Sequence, residues 1–450
     1  MRDPPLFSPA ISALEELLTQ REGRENGGTA FSLYMRMVTL EKVKSNYSNI
    51  TAPARAMPSS IFRNRRILLP RYIPESLVHR EDKLGLLSSL FGEAAESPEN
   101  SYLQVVQLIG PRGSGKTSVM RVFGRTLEQE GGRSGHKIKH IYVNLKEHGG
   151  SRITLFRYLL EVASSGSHSI GLSAEEVLTQ FLDHLRSKKV YALISFDEID
   201  AWLKTTKEPS IIYDLTRLNE STQDGLCNVI GIMFAARSTD FHRKLDDAEL
   251  STLGEIPIVF NPYYRVEIRD ILSDRAASAF HPRAINPELL DFVADAATAS
   301  PRNGDARYAL DLLRYSGSYA EREGADALTP EHVRRVVNQM SPSFTQDDIA
   351  RLPSLEHALA LLSVVLCLRG TKQSFCSFRE IRSQAELLAR VRRSETLVAH
   401  LDELLQDLVE KRIVQMRSFR EIGILAVPVD NLFRFLDAIL QRMEAERAGG

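Results

Sequence analysis

The pattern of hydrophobic and polar positions between residues 71 and 252 predicts strands that alternate with helices. The predicted strands are short and mostly apolar, as buried strands are, and the predicted helices repeat apolar residues every three or four positions. This alternation predicts an α/β fold, a parallel sheet with helices on both faces and with ligands at the carboxyl ends of the strands. The predicted strands are residues 105–109, 140–144, 191–196 and 229–235, and the predicted helices include residues 154–162 and 174–186.

The pattern changes at residue 260, after which only helices are predicted as far as residue 340. We interpret this second region as a helical lid, with helices at residues 265–280, 287–298, 304–323 and 330–340. The third region has three predicted helices followed by two short strands, which is the arrangement of a winged helix. Its helices are residues 357–368, 377–390 and 394–411, and its strands are residues 413–416 and 422–429.

These patterns divide the chain into four parts. Residues 1–60 contain flexible stretches rich in glycine, proline and serine, so we expect a weakly ordered extension. The predicted domains that follow are the sheet domain at residues 61–257, the lid at residues 258–345 and the winged helix at residues 350–450.

The composition is that of a globular protein in a reducing compartment. The chain has 450 residues, of which 43% are hydrophobic, which is enough for about three packed domains. Its formal net charge is -1, so contact with DNA would have to come from a local basic patch. Three scattered cysteines are too few for a disulfide framework or a zinc site. We find no secretory signal and no apolar stretch long enough to cross a bilayer, and we expect a soluble, cytoplasmic protein.

A phosphate-binding loop follows the first predicted strand. Residues 110–117 match the pattern G-x-x-x-x-G-K-[ST] in full, and a helix is predicted directly after them. In such a loop backbone N–H groups surround the phosphates, Lys116 adds a positive charge and the Thr117 hydroxyl binds Mg²⁺. A chance match in an ordinary loop is the alternative, which the flanking strand and helix disfavour. The residues predicted here to bind ATP or ADP are Gly113, Ser114, Gly115, Lys116, Thr117 and Ser118.

Two carboxylates end the strand predicted at residues 191–196. Asp197 is expected to hold Mg²⁺ through its waters, and Glu198 to orient and deprotonate the water that attacks the γ-phosphate. An isolated pair of this kind would more simply be a solvated strand end. The phosphate-binding loop favours the catalytic interpretation, because both segments end at the same edge of a parallel sheet.

Further segments, together with these two, resemble one family. They are residues 72–81 (Tyr-Ile-Pro-Glu-Ser-Leu-Val-His-Arg-Glu), 142–144 (Tyr-Val-Asn), 196–200, 212–220, 260–263 (Phe-Asn-Pro-Tyr), 270–275 and 304–307 (Gly-Asp-Ala-Arg). The chain resembles the AAA+ replication initiators of archaea, relatives of the largest subunit of the origin recognition complex and of the helicase loader that works with it. The resemblance is strong over residues 71–340 and weak beyond them. It implies an AAA+ P-loop core, an α-helical lid and a C-terminal winged helix.

The resemblance also assigns three residues to the nucleotide. Tyr263 is implied to stack on the adenine, and the alternative is that it only packs the domain junction. Arg275 is implied to line the nucleotide, and Arg307 to reach the γ-phosphate from the lid. The alternative for both arginines is a cation on a helix surface, although a guanidinium suits a phosphate clamp.

Two departures from the family pattern bear on turnover. Relatives usually have an asparagine at the end of the strand predicted at residues 229–235, where it helps to hold the attacking water. Here the sequence ends in Ala-Ala-Arg-Ser, so that Arg237 or Ser238 would have to take its place. Some relatives carry an arginine that completes a neighbour's ATP site, and residues 248–254 contain none. We therefore expect slow ATP hydrolysis, or binding without a catalytic partner.

Arginines flank the third helix of the predicted winged helix. Ser394 is a suitable N-cap for that helix. The predicted contacts with DNA phosphates are Arg392, Arg393, Arg417 and Arg420. The alternative is a solvated basic face, balanced by acids on the same helix. Those acids are Glu395, Asp402, Glu403, Asp407 and Glu410.

The resemblance implies an ATP-dependent, DNA-binding initiator of DNA replication. Such a protein recognises origins in double-stranded DNA and helps to recruit the replicative helicase, as a monomer or as an assembly on DNA. Two alternatives stay open at this point: a nucleotide-locked regulatory paralogue with little turnover, and an unrelated AAA+ remodelling or transposition ATPase.

Overall fold

The computed structural model describes ten segments of the chain. They are residues 60–148, 150–164, 171–205, 211–221, 227–254, 257–340, 349, 352–392, 394–418 and 421–448. The extension predicted at residues 1–60 lies outside the described residues, apart from Ser60. The chain forms two compact units, one of residues 60–337 and one that includes the residues from 338 onward. No helix in the described segments is long and apolar enough to cross a membrane.

The first unit is built on a five-stranded parallel sheet, which confirms the predicted α/β fold. The strands are β1 (Gln104–Ile109), β2 (Lys137–Asn144), β3 (Val190–Asp197), β4 (Val229–Ala236) and β5 (Ile258–Val259). Their order in the sheet is β2-β3-β4-β1-β5, and every neighbouring pair is parallel. The hydrophobic pattern did not predict β5, because a strand of two residues has no periodicity.

Helices cover both faces of the sheet. They are α1 (Glu81–Glu96), α2 (Lys116–Arg133), α3 (Leu145–His148), α4 (Arg152–Ser164), α5 (Ala174–Lys188), α6 (Ile199–Thr205), α7 (Ile211–Thr216) and α8 (Asp247–Thr252). Successive residues of a strand point to opposite faces, so Leu193 packs in the hydrophobic layer of α1 and α2. Its neighbour Ile194 packs in the layer of α4 and α5. This double burial explains why the strands are apolar throughout.

The lid consists of four helices at the positions that the sequence predicts. They are α9 (Arg265–Ala279), α10 (Pro287–Thr298), α11 (Ala306–Arg322) and α12 (Pro330–Met340). The third of them begins two residues later than predicted. Asp305 caps this helix, because its carboxylate accepts a hydrogen bond from the backbone N–H of Tyr308 at 3.0 Å.

The segment that precedes the sheet domain packs on the lid. Backbone N–H groups of Arg63 and Asn64 both donate to the carbonyl oxygen of Ala279, at the end of α9. The ring of Phe62 lies 4.6 Å from that of Phe280. From there the chain runs to α1 and the core, so residues 60–80 connect the lid to the core along one side of the carboxyl edge of the sheet.

The second unit contains helices and a three-stranded antiparallel sheet. In chain order the elements are α13 (Leu355–Thr371), β6 (Phe375–Ser377), α14 (Phe378–Arg392), α15 (Glu395–Ala399), α16 (Leu401–Glu410), β7 (Gln415–Ser418), β8 (Glu421–Gly423) and α17 (Val429–Ala448). The strand order is β6-β8-β7. This order is compatible with the predicted winged helix, with α15 and the C-terminal α17 as additional helices.

Three expectations for this unit were wrong. The helix predicted at residues 394–411 is broken at His400, and Ser394 makes no side-chain cap to it. The strand predicted at residues 422–429 ends at Gly423, because its partner β6 is only three residues long. The apolar residues that follow pack into the core without pairing, and Val429 begins a helix instead of ending a strand.

Candidate nucleotide and metal site

The phosphate-binding loop lies at the carboxyl end of β1 and leads directly into α2. Gly115 stands in front of the first helical residue with a φ of 97°, in the left-handed region that favours glycine. A Cβ atom there would lie 2.5 Å from the hydroxyl of Tyr263, and one at Gly113 would overlap the carboxylate of Asp305. The loop is therefore shaped by contact with the lid as well as by its own sequence.

Lys116 is buried at the base of this loop. Its Nζ donates to the carbonyl oxygens of Gly110 at 2.6 Å and Pro111 at 2.9 Å. Burial is the main reason why the pKa of Lys116 is lowered from 10.5 to about 8; Asp197 and Asp200 oppose this shift, and the nearby cations Arg237 and Arg307 add to it. A bound polyphosphate would give this ammonium group a negatively charged partner.

The structure places Thr117 and Asp197 side by side, as a shared metal site requires. The hydroxyl of Thr117 donates to Asp197 Oδ2 at 2.6 Å, and the backbone N–H of Glu198 donates to Asp197 Oδ1 at 2.9 Å. The hydroxyl of Tyr142, at the end of β2, also donates to Asp197 Oδ2, at 2.8 Å. Burial raises the pKa of Tyr142 above its ordinary value, and the negative charge of Asp197 raises it further. The phenol therefore keeps its proton and stays a donor. A hydroxyl and a carboxylate are oxygen ligands of the kind that Mg²⁺ prefers.

Glu198 follows Asp197 in an unusual backbone conformation. Its φ is 61°, a value that is uncommon outside glycine and that often marks a functional position. Its Oε1 lies 3.9 Å from Arg237 Nη2, and Arg237 Nε lies 3.9 Å from Asp200 Oδ2. These groups surround a cavity of about 200 Å³, which Lys116 also lines. Arg237, one of the two residues that would have to take the place of the missing asparagine, therefore lies beside Glu198, and its role in holding the attacking water stays a prediction.

A larger cleft of about 590 Å³ opens beside the loop, within the size range of small-molecule sites. One wall is the segment of residues 67–78, and another is the start of α2 with residues 113–118. The lid forms the third wall. Of the residues that the resemblance assigned to the nucleotide, Tyr263, Arg275 and Arg307 all line this cleft. Arg307 also lines the smaller cavity next to Glu198.

Tyr263 lies where either of the two roles that the sequence left open would place it. It lines the cleft, but only 6% of it is exposed, and burial raises its pKa to about 12. The guanidinium of Arg80 lies 3.7 Å from the centre of its ring. Stacking of Tyr263 on an adenine stays a prediction, whereas its packing at the junction of core and lid is a feature of the structure.

Arg80 contacts the phosphate-binding loop, although the motif in which it lies predicts no role for it. It is buried, and its Nε donates to the carbonyl oxygen of Ser114 at 3.0 Å. Its Nη2 donates to the carbonyl oxygen of Asn261 at 2.9 Å. Arg80 therefore ties the phosphate-binding loop to the segment that leads into the lid, which no local pattern indicates.

Arg275 faces the cleft from α9. Its guanidinium lies 4.9 Å from the ring centre of Tyr72, in the segment that joins the lid and the core. Burial lowers its pKa, and its Nη1 is buried without a hydrogen-bond partner among the described residues. A buried guanidinium nitrogen of this kind is available to an anionic or polar ligand in the cleft.

The residues predicted to contact DNA lie in the second unit. Arg393 and Arg420 are outside the described residues. Arg392 is half-buried at the end of α14. Arg417 lies on β7, 3.9 Å from the carboxylate of Glu421, and its guanidinium lies 5.5 Å from the ring centre of Phe375. Neighbours on β6 and β8 thus hold Arg417, so a phosphate would have to compete with Glu421 for it.

Comparison with known proteins identifies the family. The model for an AAA domain matches residues 100–236, and the model for a Cdc6 AAA+ ATPase-type lid domain matches residues 269–338. The ORC1-type DNA replication protein 1 of Aeropyrum pernix is 32% identical over 389 residues, which cover 84% of this chain and 94% of that protein. The chain belongs to the ORC1-type DNA replication proteins. The resemblance to archaeal AAA+ replication initiators is thereby confirmed, and the alternative of an unrelated AAA+ remodelling or transposition ATPase is wrong.

Solved structures of related proteins agree with the fold. Cdc6p from Pyrobaculum aerophilum has a TM-score of 0.75 at 23% identity, over 85% of this chain and 99% of that one. The Aeropyrum pernix ORC1 protein, solved in complex with DNA, has a TM-score of 0.56 at 29% identity over the same shares. The AAA+ core and lid of this ORC1-type protein therefore follow the architecture that its sequence predicts.

Proposed function

We propose that this protein binds ATP with Mg²⁺ and binds duplex DNA, and that it initiates DNA replication by recognising origins and helping to recruit the replicative helicase. The observation that carries the proposal is the convergence of Lys116, Asp197 and the lid residue Arg307 on one site. Membership of the ORC1-type family gives the site its biological setting.

The nucleotide would lie between the core and the lid. The backbone N–H groups of residues 113–118 would bind its phosphates, and the positive end of α2 favours the same anion. Thr117 and Asp197 would hold the Mg²⁺, which would neutralise phosphate charge. Because Arg307 belongs to the lid, nucleotide in this cleft would favour the closed arrangement of lid and core.

Hydrolysis would depend on Glu198. Its carboxylate is adjacent to the metal ligand Asp197 and faces the smaller cavity, where it would accept a proton from the attacking water. Arg237 Nη2 lies 3.9 Å from that carboxylate, and a guanidinium held there competes with the attacking water for its oxygens. This contact, with the absence of arginine in residues 248–254, favours slow turnover and supports a second candidate, a nucleotide-locked regulatory paralogue.

DNA contact would come from the second unit. The Aeropyrum pernix ORC1 protein has been solved in complex with DNA, and this chain covers 99% of that protein. The arginines proposed to bind phosphates here are Arg392, Arg393, Arg417 and Arg420. The exposed face of α16 carries Asp402, Glu403 and Glu410, which would repel DNA phosphates and disfavour deep insertion of this helix into a groove.

The test is to measure nucleotide and duplex binding in the full-length protein and in Lys116→Ala. The wild type should bind ATP and ADP tightly and a duplex detectably by fluorescence anisotropy, whereas Lys116→Ala should lose tight nucleotide binding. Lys188→Ala, at the exposed end of α5, is a matched control that should bind as the wild type does. Unchanged nucleotide affinity in Lys116→Ala would contradict the site, and a wild-type protein that binds no duplex would contradict the initiator function.

A further inference from the structure

Tyr142 reaches the metal ligand from the neighbouring strand. In the parallel pairing of β2 and β3, Tyr142 lies opposite Ser195. Its side chain extends two residues further along β3, where the hydroxyl donates to Asp197 Oδ2 at 2.8 Å. No motif that defines the phosphate site includes this hydroxyl, and it lines the nucleotide cleft together with Thr117.

Two donors of different rigidity share Asp197 Oδ2. Thr117 donates from the first turn of α2, and this hydroxyl is itself expected to bind the ion. Tyr142 donates from a strand in the sheet, and the guanidinium of Arg121 lies 3.9 Å from the centre of its ring. With its ring held in this way, the phenol fixes the plane of the carboxylate whether or not Thr117 adjusts to a metal. Removal of a group that orients a metal ligand typically lowers metal affinity by about 10- to 100-fold.

The hydroxyl of Tyr142 can be separated from the packing of its ring. The ring packs against the hydrophobic layer of α1 and α2 and against Arg121. A phenylalanine would keep the packing of the ring and remove the hydroxyl, with its hydrogen bond to Asp197 and its polar contact with Arg121. The change is therefore a probe of carboxylate orientation, not of the core.

We propose that Tyr142 is a positioning residue that holds the Asp197 carboxylate in the orientation required for the metal–nucleotide complex. The proposal rests on the proposed binding of Mg²⁺ and ATP at this site. It adds a residue outside the two sequence motifs, and it makes the end of β2 part of the metal site.

The experiment measures the affinity of a fluorescent ATP analogue for wild type and Tyr142→Phe, at increasing Mg²⁺ and in EDTA. In EDTA the two affinities should agree within about twofold, because the phosphate-binding loop is unchanged. With Mg²⁺ the concentration of metal that gives half of the affinity gain should rise about tenfold or more in Tyr142→Phe. An unchanged Mg²⁺ midpoint would overturn the proposal. An equal loss of affinity in EDTA would do so too, since it would show a general defect of the pocket.

Two controls distinguish this proposal from the function on which it rests. Tyr191→Phe removes a half-buried tyrosine hydroxyl near the start of β3, and its Mg²⁺ midpoint should match that of the wild type. In an Asp197→Asn background, Tyr142→Phe should cause no further shift, because the carboxylate that it orients is gone. An equal additional shift in that background would overturn the proposal. A wild-type protein that binds the analogue without any effect of Mg²⁺ would instead contradict the proposed metal site.

Discussion

Nucleotide binding to this protein should be coupled to protonation of Lys116. In the folded protein burial lowers the pKa of Lys116 to about 8, against an ordinary value of 10.5. A polyphosphate beside the ammonium group favours the charged form and raises this pKa again. Binding at pH values above 8 must therefore be accompanied by uptake of a proton, and the affinity must fall as the pH rises.

The size of the effect follows from the pKa. At pH 8 about half of the free protein carries a neutral Lys116, and binding should take up about half a proton; at pH 9 the uptake should approach about 0.9 proton. If only the ammonium form binds, the affinity should fall about tenfold for each pH unit above 8. Below pH 7 the lysine is charged in both states and its contribution to proton uptake disappears. Phosphate groups have a second pKa of about 6, so the nucleotide exchanges few protons in this range.

Titration calorimetry with ADP, in two buffers of different ionisation enthalpy, measures this uptake directly. The difference in apparent binding heat between the buffers should grow from pH 7 to pH 9. If Lys116→Arg binds nucleotide, it provides a control. A guanidinium does not titrate below about pH 12, so this variant should take up no proton on binding. An affinity that is constant between pH 7 and 9.5, with no proton uptake, would refute the argument that Lys116 is desolvated and faces the phosphates.

Three further predictions concern the neighbouring groups and the second unit. Glu198→Gln should still bind ATP but hydrolyse it about a hundredfold more slowly, since an amide cannot accept a proton; wild-type turnover would assign the base elsewhere. Arg237→Ala should weaken ATP binding by about five- to thirtyfold and change the affinity for ADP by no more than about twofold. The estimate assumes that a half-exposed arginine about 4 Å from the γ-phosphate contributes about 1–2 kcal/mol to binding. Equal losses for both nucleotides would place Arg237 away from the γ-phosphate. Replacing the four proposed DNA anchors by alanine should reduce the slope of log affinity against log salt by about 0.9 for each arginine that neutralises a phosphate. The affinity for ATP should not change. An unchanged slope would show that these arginines are only a solvated surface. These anchors are Arg392, Arg393, Arg417 and Arg420.

The parts of the site that the sequence predicts are those in which one short segment carries both the backbone and the chemistry. Residues 110–117 contain strand end, loop and helix start, and their glycines and Lys116 specify the conformation locally. The acidic end of β3 is predictable for the same reason. Parallel strands then place both segments at one edge, which is why Thr117 and Asp197 meet although 80 residues separate them.

Arg80 and Tyr142 both lie in segments that resemble the family, but their contacts belong to tertiary structure and no local pattern predicts them. Arg80 acts on a carbonyl oxygen 34 residues away, and Tyr142 reaches Asp197 only because the register of β2 and β3 is fixed. The second unit shows a different kind of failure. Val429, Leu432, Phe433, Leu436 and Leu440 are buried at helical spacing in α17. This helical spacing is visible in the sequence, but a strand predicted as far as Val429 conflicts with it.

The net charge of the chain also conceals the electrostatic character of its site. A formal charge of -1 predicts no strong field, yet the smaller cavity is lined by five cationic side chains and three carboxylates, all from separate parts of the first unit. Burial is what lowers the pKa of Lys116; Asp197 and Asp200 raise it, and Arg237 and Arg307 lower it by less. Around the cavity as a whole, however, the cations outnumber the carboxylates by two. Repulsion among these cations opposes closure of the lid that carries Arg307, and an ATP polyphosphate would relieve it. We therefore expect this local imbalance to couple nucleotide binding to lid position, and ATP should make the folded protein more stable as its concentration rises.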